Sequence, residues 1–189
     1  KLLQALIVDE KVSYGDLLVG DKNALLVAAR VLGYGKDYEF NYGGEEEVID
    51  LSQLKEKDVD WSKFKGGKNS FEFELPASGK NITFKLLTHT DEKKVEQELK
   101  GLAKIHKDNV PELTTRLKYM ITSVDGDSDS KTVRDFVDKE LLAIDSRAIR
   151  KAISDLQPDV DLKFYPPNGP EEGVDIPIGI NFLYPDARI

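Results

Sequence analysis

The chain has 189 residues, of which 40% are hydrophobic and 33% charged, and it carries a formal net charge of −8. This composition is typical of a soluble globular protein, and the excess of acid argues against a duplex nucleic-acid binder, which needs clustered lysine and arginine. The absence of cysteine excludes disulfides, thiolate nucleophiles and thiolate zinc sites.

The beginning of the chain is apolar only over residues 1–8, and this run ends at Asp9-Glu10 without a small-residue cleavage site. We therefore expect no signal peptide. No apolar run approaches the ~20 residues that a membrane span needs. The sequence thus predicts no membrane partner.

A first helix is predicted over residues 21–32. Asp21 suits its first turn, and Gly33 and Gly35 suit its end. Its surface is almost entirely apolar, which predicts a helix at the centre of a core. The apolar face comprises Leu25, Leu26, Ala28, Ala29 and Leu32.

Strict alternation then predicts two hairpins. The first joins residues 37–42 to 45–51 through Gly43-Gly44, and the second joins 70–76 to 81–87 through a turn at 77–79. The connector at 53–69 is polar and irregular, and Trp61 and Phe64 are its expected buried anchors. The four strands predict one antiparallel module over about 37–88.

Four segments with helical spacing or helix-start signals follow, and a last hairpin ends the chain. The helices are predicted over 91–107, 111–124, 132–142 and 146–157, the last capped by Asp145 or Ser146. The hairpin is predicted from 160–165 and 174–185, where Pro177 indicates an edge strand or a bulge.

This order of elements predicts an α+β fold with central helices, an inserted antiparallel β module and a C-terminal β-hairpin packed near it. The expected division assigns residues 1–36 and 89–158 to a helical core and residues 37–88 to the β module. Residues 159–189 form the C-terminal hairpin, which joins that module.

No set of residues predicts catalysis, a metal site or a cofactor. The two histidines, His89 and His106, lack ligand spacing. A capping or loop role is favoured for His89 and a surface position for His106. Asp125, Asp127 and Asp129 resemble the start of a calcium loop, but position six is Ser130 and position twelve is Phe136. An acidic turn is the favoured interpretation. We expect a non-enzymatic protein, although an enzyme with dispersed carboxylates remains a third hypothesis.

The connector allows an alternative function. It carries five lysines with two interleaved aromatic residues, which is compatible with single-stranded nucleic-acid binding by charge and stacking. Because Glu56, Asp58 and Asp60 lie among the lysines, a solvated connector is favoured. Nucleic acid is thus not the expected partner.

Four blocks carry a resemblance to a known family. The first is a GD-basic-N helix with an R-x-x-x-YG-x-x-Y exit (residues 17–38), and the second is an LP-turn-strand-LLT-x-x-DE segment (73–93). The third is a DSRAIR helix followed by a PD-x-D step (145–162), and the fourth is a closing apolar strand with the sequence IPIGINFLYPD (176–186). In this order they resemble the baseplate hub and hub-assembly proteins of T-even-type contractile-tail bacteriophages.

The resemblance includes one departure. Many members of the family carry two cysteine pairs that suggest a zinc ribbon, whereas here the corresponding stretches read Asn41-Tyr42-Gly43-Gly44 and Pro166-Pro167-Asn168-Gly169. The resemblance therefore implies the two-hairpin scaffold without metal. It predicts that the 37–51 and 160–184 hairpins touch and that aromatic packing involving Phe40, Tyr42, Phe164 and Tyr165 replaces zinc.

The resemblance implies a structural or assembly component of the phage baseplate hub. Its implied partners are other tail and hub proteins and possibly the tape measure protein, and its location is the virion tail baseplate or, during assembly, the host cytoplasm. Permanent incorporation and a chaperone role both remain open. The candidate partner-binding residues are Trp61, Phe64, Arg147, Arg150, Phe182, Leu183 and Tyr184.

Overall fold

The computed structural model of this chain describes residues 2–105 and 110–184 and has an α+β fold, as predicted. The longer helices are α2 (Val19–Tyr34), α3 (His89–Ile105), α4 (Glu112–Met120), α5 (Ser130–Lys139) and α6 (Ala143–Leu156), and the short ones are α1 (Leu2–Ala5) and α7 (Ile180–Leu183). The strands are β1 (Asp37–Tyr42), β2 (Glu45–Asp50), β3 (Phe71–Glu74), β4 (Asn81–Phe84), β5 (Ile121–Val124), β6 (Lys163–Phe164) and β7 (Val174–Asp175).

The chain divides into two compact units. Unit 1 comprises residues 1–14, 19–58 and 158–189, and unit 2 comprises residues 15–18 and 59–157. Each has its own cluster of buried apolar side chains. The expected division into a helical core and one β module is therefore wrong, because hydrophobic patterning does not reveal which elements share a core.

Unit 1 contains α2 and two antiparallel pairs, β1–β2 and β6–β7. The β1–β2 turn is formed by Gly43 and Gly44, both with positive φ, as the sequence predicted. The core of this unit is mainly aromatic and aliphatic and comprises Tyr38, Phe40, Leu51, Ile176 and Phe182.

Unit 2 is built around one antiparallel sheet with the strand order β3-β4-β5. Phe71, Leu75, Ile82 and Phe84 from the predicted hairpin are buried on one side of this sheet. They pack in one cluster with side chains from α5 and α6, including Phe136 and Ile149. The alternation of apolar residues in both strands explains why one face is buried.

The single module predicted over 37–88 is wrong in one respect: its four strands belong to two separate sheets. The 37–50 hairpin lies in unit 1 and the 71–84 hairpin lies in unit 2. The second hairpin instead receives a third strand, β5, which was predicted to be the end of a helix. Ile121 and Val124 continue the helical phase of α4, but they pair with Phe84 and Ile82 of β4.

The predicted C-terminal strand over 174–185 is also wrong beyond its start. Val174 and Asp175 pair with β6, and the Ile176 N–H donates to the Leu162 carbonyl at 2.9 Å. The chain then passes through Pro177 and Gly179 into α7. Pro177 lacks the N–H that a strand ladder needs. The helical turn of α7 places Phe182 against the ring of Tyr38, with the ring centroids 4.9 Å apart.

Helix α2 exists as predicted but is not central to a core. Leu26, Val27 and Val31 pack against the unit 1 core, whereas Ala28 and Leu32 are not part of it, and Leu32 is 86% exposed. The helix is apolar on all sides, so periodicity alone could not predict which side would be covered. Among the described residues no helix is long and apolar enough to span a membrane.

Candidate interaction surfaces

The two hairpins of unit 1 touch through an aromatic cluster. Phe164 of β6 lies edge-on to both Phe40 and Tyr42 of β1, at centroid distances of 5.3 and 5.9 Å. Such edge-to-face pairs contribute ~1 kcal/mol beyond their buried area. The predicted contact between the hairpins is confirmed, and aromatic packing holds them together at the place where the resemblance would put a zinc ribbon.

The residues of the R-x-x-x-YG-x-x-Y exit form a second contact in unit 1. Arg30 is only 5% exposed and donates through Nη1 to the Gly35 carbonyl (3.0 Å) and through Nη2 to the Asp37 carbonyl (3.1 Å). Its guanidinium lies over the rings of Tyr34 and Tyr38. The arginine thus fixes the geometry with which the chain leaves α2 and enters β1.

The GD-basic-N residues contact the PD-x-D residues. A Cβ added at Gly20 would lie 1.8 Å from the carbonyl oxygen of Pro158, so only glycine fits there. The Asn23 side-chain amide donates to the carboxylate of Asp159 at 2.9 Å. Near the other end of α2, the Tyr38 hydroxyl donates to the Pro177 carbonyl at 2.7 Å.

In unit 2 the DSRAIR helix contacts the LP turn. Asp145 is completely buried and accepts hydrogen bonds from the backbone N–H groups of Ala77 (2.8 Å) and Ser78 (3.1 Å). The predicted capping role of Asp145 or Ser146 is wrong, because Leu142 occupies the N-cap position of α6. The carboxylate instead fixes the turn between β3 and β4.

The two candidate aromatic residues of the connector differ in environment. Trp61 is 63% exposed, whereas Phe64 is half-buried and lies edge-on to Phe71 at 5.0 Å. Their rings are 5.2 Å apart, so Phe64 supports one side of the exposed indole. The expectation that Trp61 is a buried anchor is wrong, and Trp61 remains available to a partner.

The candidate arginines of α6 differ in their contacts. Arg150 is exposed and contacts the Ser146 carbonyl at 3.4 Å, and Lys151 forms an exposed i,i+4 pair with Asp155. In the described ranges the side chain of Arg147 is exposed and has neither a hydrogen bond nor an ion pair, so its guanidinium is open to a partner. The carboxylate of Asp145 is not the partner of either arginine, because it accepts the backbone N–H groups of Ala77 and Ser78.

The three C-terminal candidates are not equivalent. Phe182 is 0% exposed and belongs to the unit 1 core, so the structure contradicts its assignment as a partner contact. Leu183 packs partly against the same core, and Tyr184 is half-exposed. The sequence predicted a strand here, in which alternate side chains would face outward. The helical turn of α7 instead directs Phe182 into the unit 1 core.

The charged side chains of unit 2 mostly hold elements together. Glu98 of α3 accepts two hydrogen bonds from Arg134 of α5 (2.9 and 2.8 Å) and one from Tyr119 of α4 (2.8 Å). The hydrogen bonds from Arg134, followed by that from Tyr119, hold the pKa of Glu98 at about 2. This carboxylate is ionised at neutral pH, and its three hydrogen bonds join α3 to α4 and α5.

The other residues weighed for chemistry have structural contacts. Asp127 accepts the Asp129 N–H and the Thr132 hydroxyl, and Asp129 caps α5. His89 is the first residue of α3, and its backbone N–H donates to Leu17. His106 lies outside the described residues. Within residues 2–105 and 110–184, no group of three or more metal-ligating side chains is arranged to hold an ion.

A cavity that the sequence did not predict lies beside β3. It has a volume of about 740 Å³. Its polar and charged lining residues are Lys63, Lys65, Lys68, Ser70, Glu72, Thr83 and Asp155, and its apolar ones are Phe71, Phe73, Phe84, Ala152 and Leu156. The sequence shows the spacing of the lysines in the connector. It does not show that the connector packs beside an edge strand, because that position depends on tertiary structure.

Comparison with known proteins gives no further assignment: no protein-family model, no curated protein and no solved structure matches this chain.

Proposed function

We propose that this chain is a non-enzymatic structural or assembly component of a contractile phage tail baseplate hub and acts through protein–protein contacts. The observation that carries the proposal is that all four blocks of the resemblance supply residues to the defining contacts of the fold. These contacts are Gly20 with Pro158, Asn23 with Asp159, Tyr38 with Pro177, and Asp145 with Ala77 and Ser78.

These contacts support the resemblance because some of the residues in its blocks are required by type. Gly20 is required by the close approach of a backbone carbonyl, and Arg30 is required to donate to two carbonyls at once. A match produced by chance would have no reason to select residues that meet in space. The blocks therefore describe a scaffold rather than a reactive site.

Exposed apolar side chains support docking as the mode of action. Leu32 on unit 1 and Trp61 and Ile144 on unit 2 are each more than half exposed. Single exposed apolar side chains are also common on monomeric proteins. Aromatic residues such as Trp61, however, contribute most of the binding energy in many protein interfaces. The proposed partners are other hub proteins or the tape measure protein, met in the baseplate or in the host cytoplasm during assembly.

The test is mass spectrometry of tails and of baseplate intermediates purified from cells infected with a phage that encodes an affinity-tagged copy of this chain. The proposal predicts that hub proteins co-purify with the tag, in finished tails if the chain is incorporated and only in intermediates if it is a chaperone. Recovery of the tagged chain without hub proteins from both fractions would refute it.

The alternative function is that of a single-stranded nucleic-acid-binding module. The observation that favours it is the position of Lys63, Lys65 and Lys68 around one cavity, with exposed Trp61 nearby in the same connector. It predicts salt-dependent binding of a labelled oligothymidylate. Absence of binding at low salt would end this alternative.

A further inference from the structure

The sheet of unit 2 has an open edge at β3. Its strand order is β3-β4-β5, so β3 pairs on one side only. The Leu75 N–H donates to the Lys80 carbonyl at the end of the hairpin, and peptide groups alternate in direction along an antiparallel strand. The backbone N–H and C=O groups of Glu72 and Glu74 therefore point away from β4.

These outward groups have no partner in the part of the chain that the structure describes. No backbone hydrogen bond there joins residues 70–74 to anything other than β4. An edge of this kind is the template onto which an extended segment of another chain adds as a further strand. Because buried peptide groups need partners, an extended segment suits this edge, since its own N–H and C=O groups satisfy acceptors and donors alike.

The cavity beside the edge indicates which side chains such a segment carries. Phe71, Phe73 and Leu156 contribute apolar surface, and Lys63, Lys65 and Lys68 contribute ammonium groups. None of the three lysines forms an ion pair within the described ranges. Of the two carboxylates in the same lining, Asp155 pairs with Lys151 and Glu72 pairs with no residue that the structure describes, so the three ammonium groups outnumber the one unpaired carboxylate. The surface therefore suits a chain segment that is partly apolar and partly acidic.

We propose that the β3 edge and the lysine-lined cavity form a docking site for an extended acidic segment of a partner protein, which adds to the sheet as a fourth strand next to β3. The backbone of the segment bonds to the outward groups of Glu72 and Glu74, and its acidic side chains meet Lys63, Lys65 and Lys68. The inference deepens the proposed function and rests on it only for the identity of the partner.

A nucleic acid fits this site less well for two reasons. A phosphodiester strand cannot continue a β-ladder, because its phosphate oxygens accept from outward N–H groups but supply no donor for the outward carbonyls. Stacking also needs several exposed rings, whereas Trp61 is exposed and its neighbours Phe64 and Phe73 are partly buried. The net charge of −8 opposes a polyanion at long range as well.

The direct test measures fluorescence anisotropy of the purified full chain with three labelled probes. They are a short peptide of alternating glutamate and valine, the same peptide N-methylated on alternate residues, and an oligothymidylate. We expect the unmodified peptide to bind at low salt and to weaken as salt is raised. N-methylation keeps the charge but removes the N–H donors, so we expect it to weaken binding by ~tenfold or more.

Matched variants locate the site on the chain. Lys63→Glu/Lys65→Glu/Lys68→Glu is expected to weaken binding of the glutamate–valine peptide by ~tenfold or more. The control Lys93→Glu/Lys94→Glu changes exposed lysines on α3 and is expected to bind as the parent does. Glu72→Pro removes one outward N–H, which proline permits on an edge strand, and is expected to weaken binding of the unmodified peptide, because one carbonyl of the peptide loses its donor.

Three results overturn the proposal: no binding of the glutamate–valine peptide at low salt, equal binding of its N-methylated form, or binding of the oligothymidylate alone. The peptide assay contains no phage protein. If the peptide does not bind but hub proteins co-purify with the tagged chain, the docking site is refuted and the hub assignment stands. If the peptide binds but no hub protein co-purifies, the hub assignment is refuted and the docking site stands.

Discussion

At the scale of single residues, Gly20 is fixed by the backbone that faces it. Any Cβ at this position would overlap the Pro158 carbonyl, and that backbone atom has no flexible side chain with which to yield. We expect Gly20→Ala to lower the free energy of unfolding by ~2 kcal/mol or more through overpacking. Circular dichroism during chemical denaturation measures it.

The control is Gly33→Ala in the same helix, where a new Cβ meets no atom within 4 Å. Alanine is the better helix former, so this variant is expected to be stabilised by up to ~1 kcal/mol. Equal effects of the two substitutions would mean that Gly20 does not lie against Pro158.

The buried carboxylate of Asp145 is a second residue with a defined role. A side-chain amide at this position would have one oxygen in place of two and would turn an N–H group toward a donor, so Asp145→Asn is expected to cost ~1–3 kcal/mol. Thermal denaturation followed by circular dichroism measures the loss, and Asp155→Asn on the exposed side of α6 is the control, with an expected change below ~0.5 kcal/mol. If both variants melt with the parent, the turn at Ala77 and Ser78 does not depend on this carboxylate.

At the scale of elements, α2 presents two faces that respond differently to substitution. Val31 packs against the unit 1 core, and the adjacent Leu32 is exposed. Val31→Ala is expected to lower the free energy of unfolding by ~1–2 kcal/mol. Leu32→Ala is expected to change it by less than ~0.5 kcal/mol. Urea denaturation of both variants checks the assignment, and a larger effect at Leu32 would contradict it.

Helices α3, α4 and α5 are joined at Glu98, and this junction gives unit 2 an acid sensitivity. Because the folded pKa of about 2 lies below the ordinary value of 4.5, the unfolded state binds the proton more tightly. The stabilisation by Glu98 is thus complete above the ordinary pKa and is lost as the pH falls toward 2. We expect Glu98→Gln to lower the free energy of unfolding at neutral pH. Between pH 4.5 and 2 the variant is expected to lose less stability than the parent, because it lacks the titrating carboxylate.

The measurement is the free energy of unfolding of parent and variant at pH 7 and at several values between 4.5 and 2. Glu96→Gln, in an exposed pair with Lys100, is the control and is expected to follow the parent. Identical pH profiles for the parent and Glu98→Gln would mean that Arg134 and Tyr119 do not hold the carboxylate in solution.

Local sequence patterns predicted most helices and strands. They failed where contacts with residues far away in the sequence determine the secondary structure. The hairpin at Gly43-Gly44 and the alternation of Phe71, Phe73 and Leu75 were sufficient to predict β1 to β4. By contrast, residues 121–124 keep the phase of α4 and become a strand only because β4 offers an unpaired edge. Residues 180–183 similarly become helical because Phe182 has a place in the unit 1 core.

At the scale of the whole molecule, predicting the surfaces was harder than predicting the scaffold. Trp61 was predicted as a partner contact and is exposed, whereas Phe182 was predicted as one and is buried. The edge of β3 was not predicted at all, since an edge exists only once the order of strands in a sheet is known. Exposure and strand order depend on long-range packing, which composition and periodicity do not encode.

In each of the two units, the buried contacts that hold the fold together are separate from the surfaces proposed for docking. Each unit has its own core, and the contacts that carry the proposed function lie inside the units, whereas Leu32, Arg147 and Arg150 of the same blocks are exposed. The buried contacts keep each scaffold in place and leave these exposed side chains available to other proteins. Such an arrangement suits a component whose role is to meet specific partners in an assembly.

Cross-linking mass spectrometry of assembled tails and of assembly intermediates, with a lysine-to-carboxylate linker, tests the central claim most directly. The account predicts links from Lys63, Lys65 or Lys68 to acidic residues of another hub or tail protein, with the exposed lysines of α3 as the internal reference. Links confined to this chain, in samples where other hub proteins do link to one another, would contradict a docking function.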